Sequence, residues 1–125
     1  MSDDDKRALI QRYLAASGVD QDVSHEIYHD DAVLEFPQSG ERFEGVDNFR
    51  EWRRQYPANV AFTTRELRGA GDLWTAEITV TYDGGAPLLG VSILEFRGDR
   101  VTRETIYTAE PWEAPEWRKP WRSAP

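Results

Sequence analysis

The chain contains no cysteine, and no apolar run in it approaches the ~20 residues that a membrane-spanning helix needs. The lack of cysteine excludes disulfide bonds, thiolate nucleophiles and thiolate metal ligands, and it fits a reducing compartment. The first residues, MSDDDK, are acidic where a secretory signal would be basic and then apolar. We therefore expect a cytoplasmic protein with no membrane partner.

Basic residues and histidines are also in short supply. The 125 residues include 15 basic and 23 acidic side chains, so the net charge is -8 and nucleic-acid phosphates would be repelled. The two histidines, His25 and His29, lack an assigned third ligand, and we predict no metal site. Neither a phosphate-binding glycine loop nor a nucleotide-binding motif occurs, so no cofactor is expected.

Helical spacing dominates the first half of the chain. Ser2 and Asp5 resemble a capping box, and the helix that they open ends near Gly18. Asp20 can cap a second, short helix that ends around His29. A strand at 32–36 follows, and after a short return a third helix begins beyond Gly45 and is limited by Pro57.

After Pro57 the apolar period changes from helical to two. Strands are predicted at 60–68 and 73–82, followed by a long hairpin that turns at Gly98-Asp99. Helices first and a meander afterwards is typical of an α+β fold. We predict one domain over residues 1–125, in which three N-terminal helices and a curved mixed or antiparallel sheet form a cone around a cavity.

The strand at 88–96 is apolar on both faces, with Val91 and Ile93 on the face that the helices cannot cover. A two-sided apolar strand must be covered on both sides. A self-complementary patch closes as a two-fold dimer. Another sheet or a partner subunit could cover the second face. We expect a partner subunit, that is, a homodimer through the outer sheet face.

Residues 110–125 form a tail in which three tryptophans alternate with prolines. Proline prevents a long helix, and an extended strap is expected. Since exposed tryptophans are unusual, we expect Trp112 to be more than half buried. The strap could cover the cavity mouth, the outer sheet face or a second subunit.

The order of these elements resembles the nuclear transport factor 2-like superfamily, and in particular its SnoaL-like polyketide cyclase branch. The resemblance covers nearly the whole chain and is carried by IQRYLAASGVD, YHDDAVLEFPQSGERFEGVDNFREW and LEFRGDRVTRETIYTAEPW. It implies a cone-shaped domain that binds a hydrophobic, oxygenated small molecule. Characterised members include ketosteroid isomerases, epoxide hydrolases, scytalone dehydratase and polyketide cyclases, which transfer protons within the cone.

The resemblance also shows where this chain departs from particular enzymes. Tyr13, in Gln11-Arg12-Tyr13, matches the oxyanion tyrosine of the isomerases. Phe36 stands where their general-base aspartate would be, and Ser92 replaces their second oxyanion acid. Ile106 stands where epoxide hydrolases have an aspartate. Neither the isomerase mechanism nor the epoxide hydrolase mechanism is therefore expected.

By the same resemblance, Glu104, Ile106 and Thr108 face into the cone. A carboxylate there suits general acid or base work. We predict Glu104 as the proton-transfer group, with Tyr13 and Arg53 stabilising negative charge on oxygen. The predicted substrate-binding residues are Phe36, Trp52, Tyr56, Ser92, Leu94 and Ile106.

Alternatives remain for several of these residues. Arg53 could neutralise Glu104 in a buried ion pair, and Tyr13, Trp52 and Tyr56 could be core residues. Two functions therefore stay open. One is a cofactor-free enzyme of the isomerase, cyclase, dehydratase or hydrolase type. The other is a non-catalytic domain that binds a ligand or a protein.

Overall fold

The computed structural model describes residues 1–124. Its helices and strands are α1 (Asp3–Ala16), α2 (Gln21–Ser24), β1 (Tyr28–Phe36), β2 (Glu41–Glu44), α3 (Val46–Arg54), β3 (Val60–Ala70), β4 (Leu73–Tyr82), β5 (Leu88–Arg97) and β6 (Arg100–Ala109). Short 3-10 turns span His25–Ile27 and Glu116–Trp121. The predicted α+β class is confirmed.

The six strands form one curved, unclosed sheet in the order β2-β1-β6-β5-β4-β3. Every neighbouring pair is antiparallel except β1 and β6, which are parallel. The pairing register shifts within three of the five strand pairs, and such irregularities bend a sheet. The helices cover the concave face, where the core and the cavity lie.

Helix α1 begins and ends where the sequence indicates. The Ser2 hydroxyl accepts a hydrogen bond from the Asp5 amide at 3.1 Å, and the Asp5 carboxylate accepts one from the Ser2 amide at 3.2 Å. The chain turns at Gly18, where φ is +79° and a Cβ atom would lie 2.2 Å from the Val60 carbonyl oxygen. Glycine at this position therefore lets α1 approach β3 closely.

The region between α1 and β1 differs from the prediction. The α-helix at Asp20 ends at Ser24, and β1 begins at Tyr28 instead of residue 32. Tyr28 pairs with Val101 of β6, and its ring packs edge-on against Tyr13 and Phe49 at 5.7 and 5.0 Å. These long-range contacts override the local helical spacing.

The two histidines consequently lie in different environments. His25 is buried, whereas the His29 ring on β1 is hydrogen bonded to the Arg97 carbonyl. Within residues 1–124, no group of three or more His, Cys, Asp or Glu side chains could hold a metal ion. The same residues include no helix long and apolar enough to cross a membrane.

The tail does not pack as predicted. Trp112, Trp117 and Trp121 are 80%, 72% and 78% exposed, so the expectation that Trp112 is more than half buried is wrong for a single chain. The tail does not line the cavity, and it leaves Leu89 and Tyr107 on the outer sheet face exposed.

Candidate functional site

The concave side of the sheet encloses a cavity of about 1210 Å³ together with α1 and α3. Eight of the nine predicted site residues line it: Tyr13, Phe36, Trp52, Arg53, Tyr56, Ser92, Glu104 and Ile106. Leu94, the ninth, does not line the cavity. It is fully buried in the core, because it lies opposite Trp74 in the β4–β5 pairing, where the cone is filled by side chains.

Glu104 forms the polar centre of this cavity. Glu104 is 0% exposed. It lies on β6, where it is paired with Leu34 of β1 on one side and with Leu94 of β5 on the other. Strand alternation therefore points its carboxylate to the concave face, as the sequence predicts. An ionised carboxylate in such a place needs hydrogen-bond donors and a counter-charge.

Three hydroxyl groups donate to the Glu104 carboxylate. Tyr13 reaches Oε2 at 2.8 Å and Oε1 at 3.0 Å, and Ser92 reaches Oε2 at 2.5 Å. Tyr28, from the start of β1, donates to Oε1. The carboxylate thus joins α1, β1, β5 and β6 at one point.

Arg53 supplies the counter-charge. Its Nη2 lies 3.8 Å from Glu104 Oε1, and its Nη1 donates to the Tyr28 hydroxyl at 3.1 Å. Burial alone would lower the pKa of Arg53, but interactions with Tyr28, Tyr13 and Glu104 raise it. Arg53 therefore lines the cavity and also pairs with Glu104.

His25 holds Arg53 from the other side. Its Nε2 lies 3.1 Å from Arg53 Nη1, and its Nδ1 lies 2.6 Å from the Gln21 carbonyl oxygen. Because that carbonyl can only accept, Nδ1 carries the proton and Nε2 accepts from the guanidinium. Burial and the nearby Arg53 lower the pKa of His25 to about 4. The imidazole is therefore neutral at pH 7.

The two tyrosines remain donors across the ordinary pH range. Burial raises the pKa of Tyr13, and the Glu104 charge raises it further. Burial also raises the pKa of Tyr28 well above the usual tyrosine value. Neither phenol loses its proton at neutral pH, so each can donate to the carboxylate or to an oxygen atom in the cavity.

Aromatic side chains form another part of the wall. Trp52 packs against Phe36 and Phe43 at ring distances of 6.0 and 5.1 Å. Near the mouth, Tyr56 stacks on Tyr82 at 5.7 Å and is 41% exposed. Exposed polar residues such as Asp20, Gln38 and Asn59 also line the cavity, which therefore combines aromatic and polar side chains.

The sequence did not predict the roles of Tyr28 and His25. Because Val23 and Ile27 are four residues apart, which is helical spacing, the sequence predicted that His25 and Tyr28 both lie on a helix. The period-two pattern of Ala32, Leu34 and Phe36, continued backwards, reaches Tyr28 and could have placed its side chain on the concave face. No sequence signal connects His25 to Arg53.

Known proteins resemble the chain throughout its length. The family model for the SnoaL-like domain matches residues 10–104. No curated protein sequence matches the chain. An NTF-2 like protein of unknown function from Burkholderia xenovorans LB400 is 40% identical, with a TM-score of 0.92 over 99% of this chain and 98% of that one.

Two other solved structures share the architecture. A putative ketosteroid isomerase from Kribbella flavida is 26% identical, with a TM-score of 0.87 over 99% of this chain and 93% of that one. A hypothetical protein with a ketosteroid isomerase-like fold from Catenulispora acidiphila, in complex with trimethylamine, is 19% identical, with a TM-score of 0.69 over 79% of this chain and 83% of that one. With the family model and the Burkholderia relative, these matches show that the chain belongs to the SnoaL-like domain family of the NTF2-like fold.

Proposed function

We propose that the protein binds a hydrophobic, oxygenated small molecule in its cavity and that Glu104 exchanges a proton with it. The observation that carries this proposal is a fully buried carboxylate with three hydroxyl donors. It lies in a cavity of about 1210 Å³ whose wall includes several aromatic side chains. Tyr13 and Arg53 also line this cavity and would stabilise negative charge on a ligand oxygen.

The chemistry follows from the donors already present. Tyr13 donates to both Glu104 oxygens, so rotation of its hydroxyl toward a ligand carbonyl frees a carboxylate lone pair. Glu104 can then take a proton from the carbon next to that carbonyl, and the electron pair of the C–H bond moves to give an enolate. Tyr13 and Arg53 stabilise the enolate oxygen, and Glu104 returns the proton to carbon. The proposed reaction needs no cofactor, and both isomerisation and ring closure can begin with such an enolate.

Non-catalytic binding is the second candidate. The Glu104 carboxylate already accepts from three hydroxyl groups and lies near Arg53, so its oxygen lone pairs are engaged within the protein. The cluster would then hold a ligand hydroxyl without moving a proton between carbon atoms.

Hydrogen exchange at carbon separates the two candidates without knowledge of the natural substrate. 2-Tetralone, a hydrophobic cyclic ketone, is incubated with the protein in D₂O, and loss of its α-proton signals is followed by NMR. Fluorescence of 2-naphthol, a hydrophobic phenol, measures binding separately. We expect the protein to accelerate exchange and Glu104→Gln to lower the rate by about 10²–10⁴-fold while 2-naphthol still binds.

Glu66→Gln is the matched control, because Glu66 is an exposed carboxylate on β3. It should leave both measurements unchanged. Binding of 2-naphthol without acceleration of exchange by the unmodified protein would favour the second candidate. Absence of both binding and exchange would contradict both candidates.

We also propose that two copies pair through the convex sheet face in the cytoplasm. Leu89 and Tyr107 are 42% and 40% exposed on that face, and Val91 and Ile93 beside them are half-buried. The absence of cysteine agrees with a reducing compartment. Light scattering at micromolar concentration should give the mass of a dimer, and a monomer would contradict the pairing.

A further inference from the structure

The tail, defined here as residues 110–124, leaves the domain without packing on it. Its three tryptophans are 72–80% exposed. Its backbone hydrogen bonds are internal, from Arg118 to Pro115 and from Arg122 to Lys119. Among the described residues, no hydrogen bond or ion pair joins the tail to residues 1–109. Three exposed tryptophans in one short segment form an apolar surface of the kind that binds a partner.

The direction of the tail is shared with a solved relative. The Burkholderia protein matches this chain with a TM-score of 0.92 over 99% of its length. Residues 1–109 make up less than nine-tenths of the chain. If only these residues matched, even a perfect superposition of them would give a TM-score below 0.92. Part of the tail must therefore follow the same path in both proteins, although contacts within this chain do not fix that path.

A second unpartnered apolar surface lies on the convex sheet face. We call Leu89, Val91, Ile93 and Tyr107 the outer patch. Val91 pairs with Tyr107 and Leu89 with Ala109, so these side chains share one side of β5 and β6. The helices cover only the other side. The tail begins directly after Ala109, at one end of this patch.

We propose that the tail of each copy packs its tryptophans against the outer patch of a second copy. This proposal rests on the proposed homodimer and specifies what completes its interface. A tryptophan buries about 150–250 Å². The six tryptophans of two tails would therefore bury on the order of 900–1,500 Å² of their own surface, and the surfaces that they cover would add to that area. A stable specific interface buries about 1,200–2,000 Å² in total.

Charge favours a second copy over an anionic partner. The tail carries three acidic side chains, Glu110, Glu113 and Glu116, and three basic ones, Arg118, Lys119 and Arg122. It has no excess of positive charge with which to attract nucleic acid or an anionic membrane surface. Recognition of the partner must therefore depend on the apolar residues of the tail, and the outer patch is apolar as well.

Site-directed cross-linking tests the proposal directly, because the natural chain has no cysteine. Glu113→Cys places a thiol beside Trp112. Thr105→Cys places one on the convex face beside Ile93, with which Thr105 is paired. Chains with these single changes, carrying tags of different mass, are mixed and oxidised. We expect a disulfide between the two different chains.

Asp4→Cys, at an exposed position on α1 behind the opposite side of the sheet, is the matched control and should not cross-link to Glu113→Cys. A chain that carries both Glu113→Cys and Thr105→Cys should form a covalent dimer. A disulfide within one chain, or no disulfide between tail and patch, would overturn the proposal.

Sedimentation velocity gives a second measurement. The triple variant Trp112→Ser, Trp117→Ser, Trp121→Ser should weaken dimerisation by at least about 100-fold. The double variant Arg118→Ser, Arg122→Ser keeps the tryptophans and should dimerise like the unmodified chain. The triple variant should keep its far-UV circular dichroism, since the three tryptophans are 72–80% exposed in the single chain.

The outcomes separate the tail from the other proposals. Unchanged dimerisation of the triple variant would overturn the role of the tail and leave the homodimer standing. A monomeric full chain would overturn both. Binding of the tail to phosphatidylcholine vesicles in place of cross-linking would assign it to membranes instead. If the chain failed to bind 2-naphthol but still cross-linked and dimerised as expected, that result would contradict the proposed cavity site and not the role of the tail.

Discussion

The Tyr28 hydroxyl lies between Arg53 and Glu104: it accepts a hydrogen bond from Arg53 Nη1 at 3.1 Å and donates one to Glu104 Oε1. The closest distance between the guanidinium and the carboxylate is 3.8 Å, longer than a charged hydrogen bond. Tyr28 therefore makes the closest link between the two charges. Removal of this hydroxyl should weaken their coupling without removing either charge.

Tyr28→Phe tests this relationship. The change removes one acceptor of Arg53 Nη1 and one donor to Glu104 Oε1, which keep only His25 and Tyr13 as hydrogen-bond partners. Because both lost hydrogen bonds involve a charged group, the free energy of unfolding should fall by about 1–3 kcal/mol. Tyr107→Phe is the control, because Tyr107 is 40% exposed on the convex face. Urea unfolding should show little change for the control. Equal stability of the two variants would contradict the role of Tyr28.

Arg53→Met tests the buried charge pair. It keeps an unbranched side chain in the cavity wall but leaves Glu104, which is 0% exposed, without its counter-charge. Loss of one partner of a buried pair typically costs about 3–5 kcal/mol. We expect a loss of that size in urea unfolding at pH 7. The neighbouring Arg54 is 42% exposed, and Arg54→Met should cost less than about 1 kcal/mol. Similar losses for both variants would contradict the pairing.

The parts of the fold that follow from local signals could be predicted from the sequence. The capping box of α1, the glycine turns and the period-two strands each depend on neighbouring residues. Glu104 could also be predicted, because alternation along β6 fixes its face once the family resemblance sets the register. Leu94 has the same orientation but lies deeper, where the cone is filled by Trp74 and Phe96.

Other features depend on contacts that one segment does not encode. Tyr28 enters a strand because it pairs with β6, more than 70 residues later in the chain. His25 faces Arg53 only after α2 and α3 have packed together. The burial of the tail tryptophans was predicted because exposed tryptophans are unusual, but no local pattern fixes what they pack on, and in the single chain they are exposed.

Gly18→Ala tests the close approach of α1 to β3. Gly18 has φ of +79°, and a Cβ atom there would lie 2.2 Å from the Val60 carbonyl oxygen. The variant therefore combines left-handed strain with a backbone clash. We expect a loss of more than about 2 kcal/mol, measured by urea unfolding.

Gly40→Ala separates the two costs. Gly40 has nearly the same φ, +76°, but nothing lies within 4 Å of the added Cβ. This variant should lose only about 1–2 kcal/mol from the backbone conformation. If Gly18→Ala is no more destabilising than Gly40→Ala, the contact with Val60 does not constrain the fold.

His25 should make stability depend on pH. Its pKa is lowered from 6.5 to about 4 in the folded protein by burial and by Arg53. Between pH 4 and pH 6.5, therefore, the His25 imidazole is protonated in the unfolded chain but neutral in the folded protein. The contribution of His25 is complete above pH 6.5 and falls as the pH decreases toward 4. The lowered pKa corresponds to a loss of about 3 kcal/mol over this range.

His25→Gln removes this titration. Carboxylates also titrate in the same range, so the measured quantity is the difference in unfolding free energy between the unmodified chain and the variant at pH 7, 5.5 and 4.5. That difference should shrink as the pH falls, because only the unmodified chain loses the contribution of a neutral His25. His29→Gln is the control, since its ring bonds the Arg97 carbonyl at the surface, and its difference should not shrink in the same way. A constant difference for His25→Gln would mean that the imidazole does not stay neutral beside Arg53.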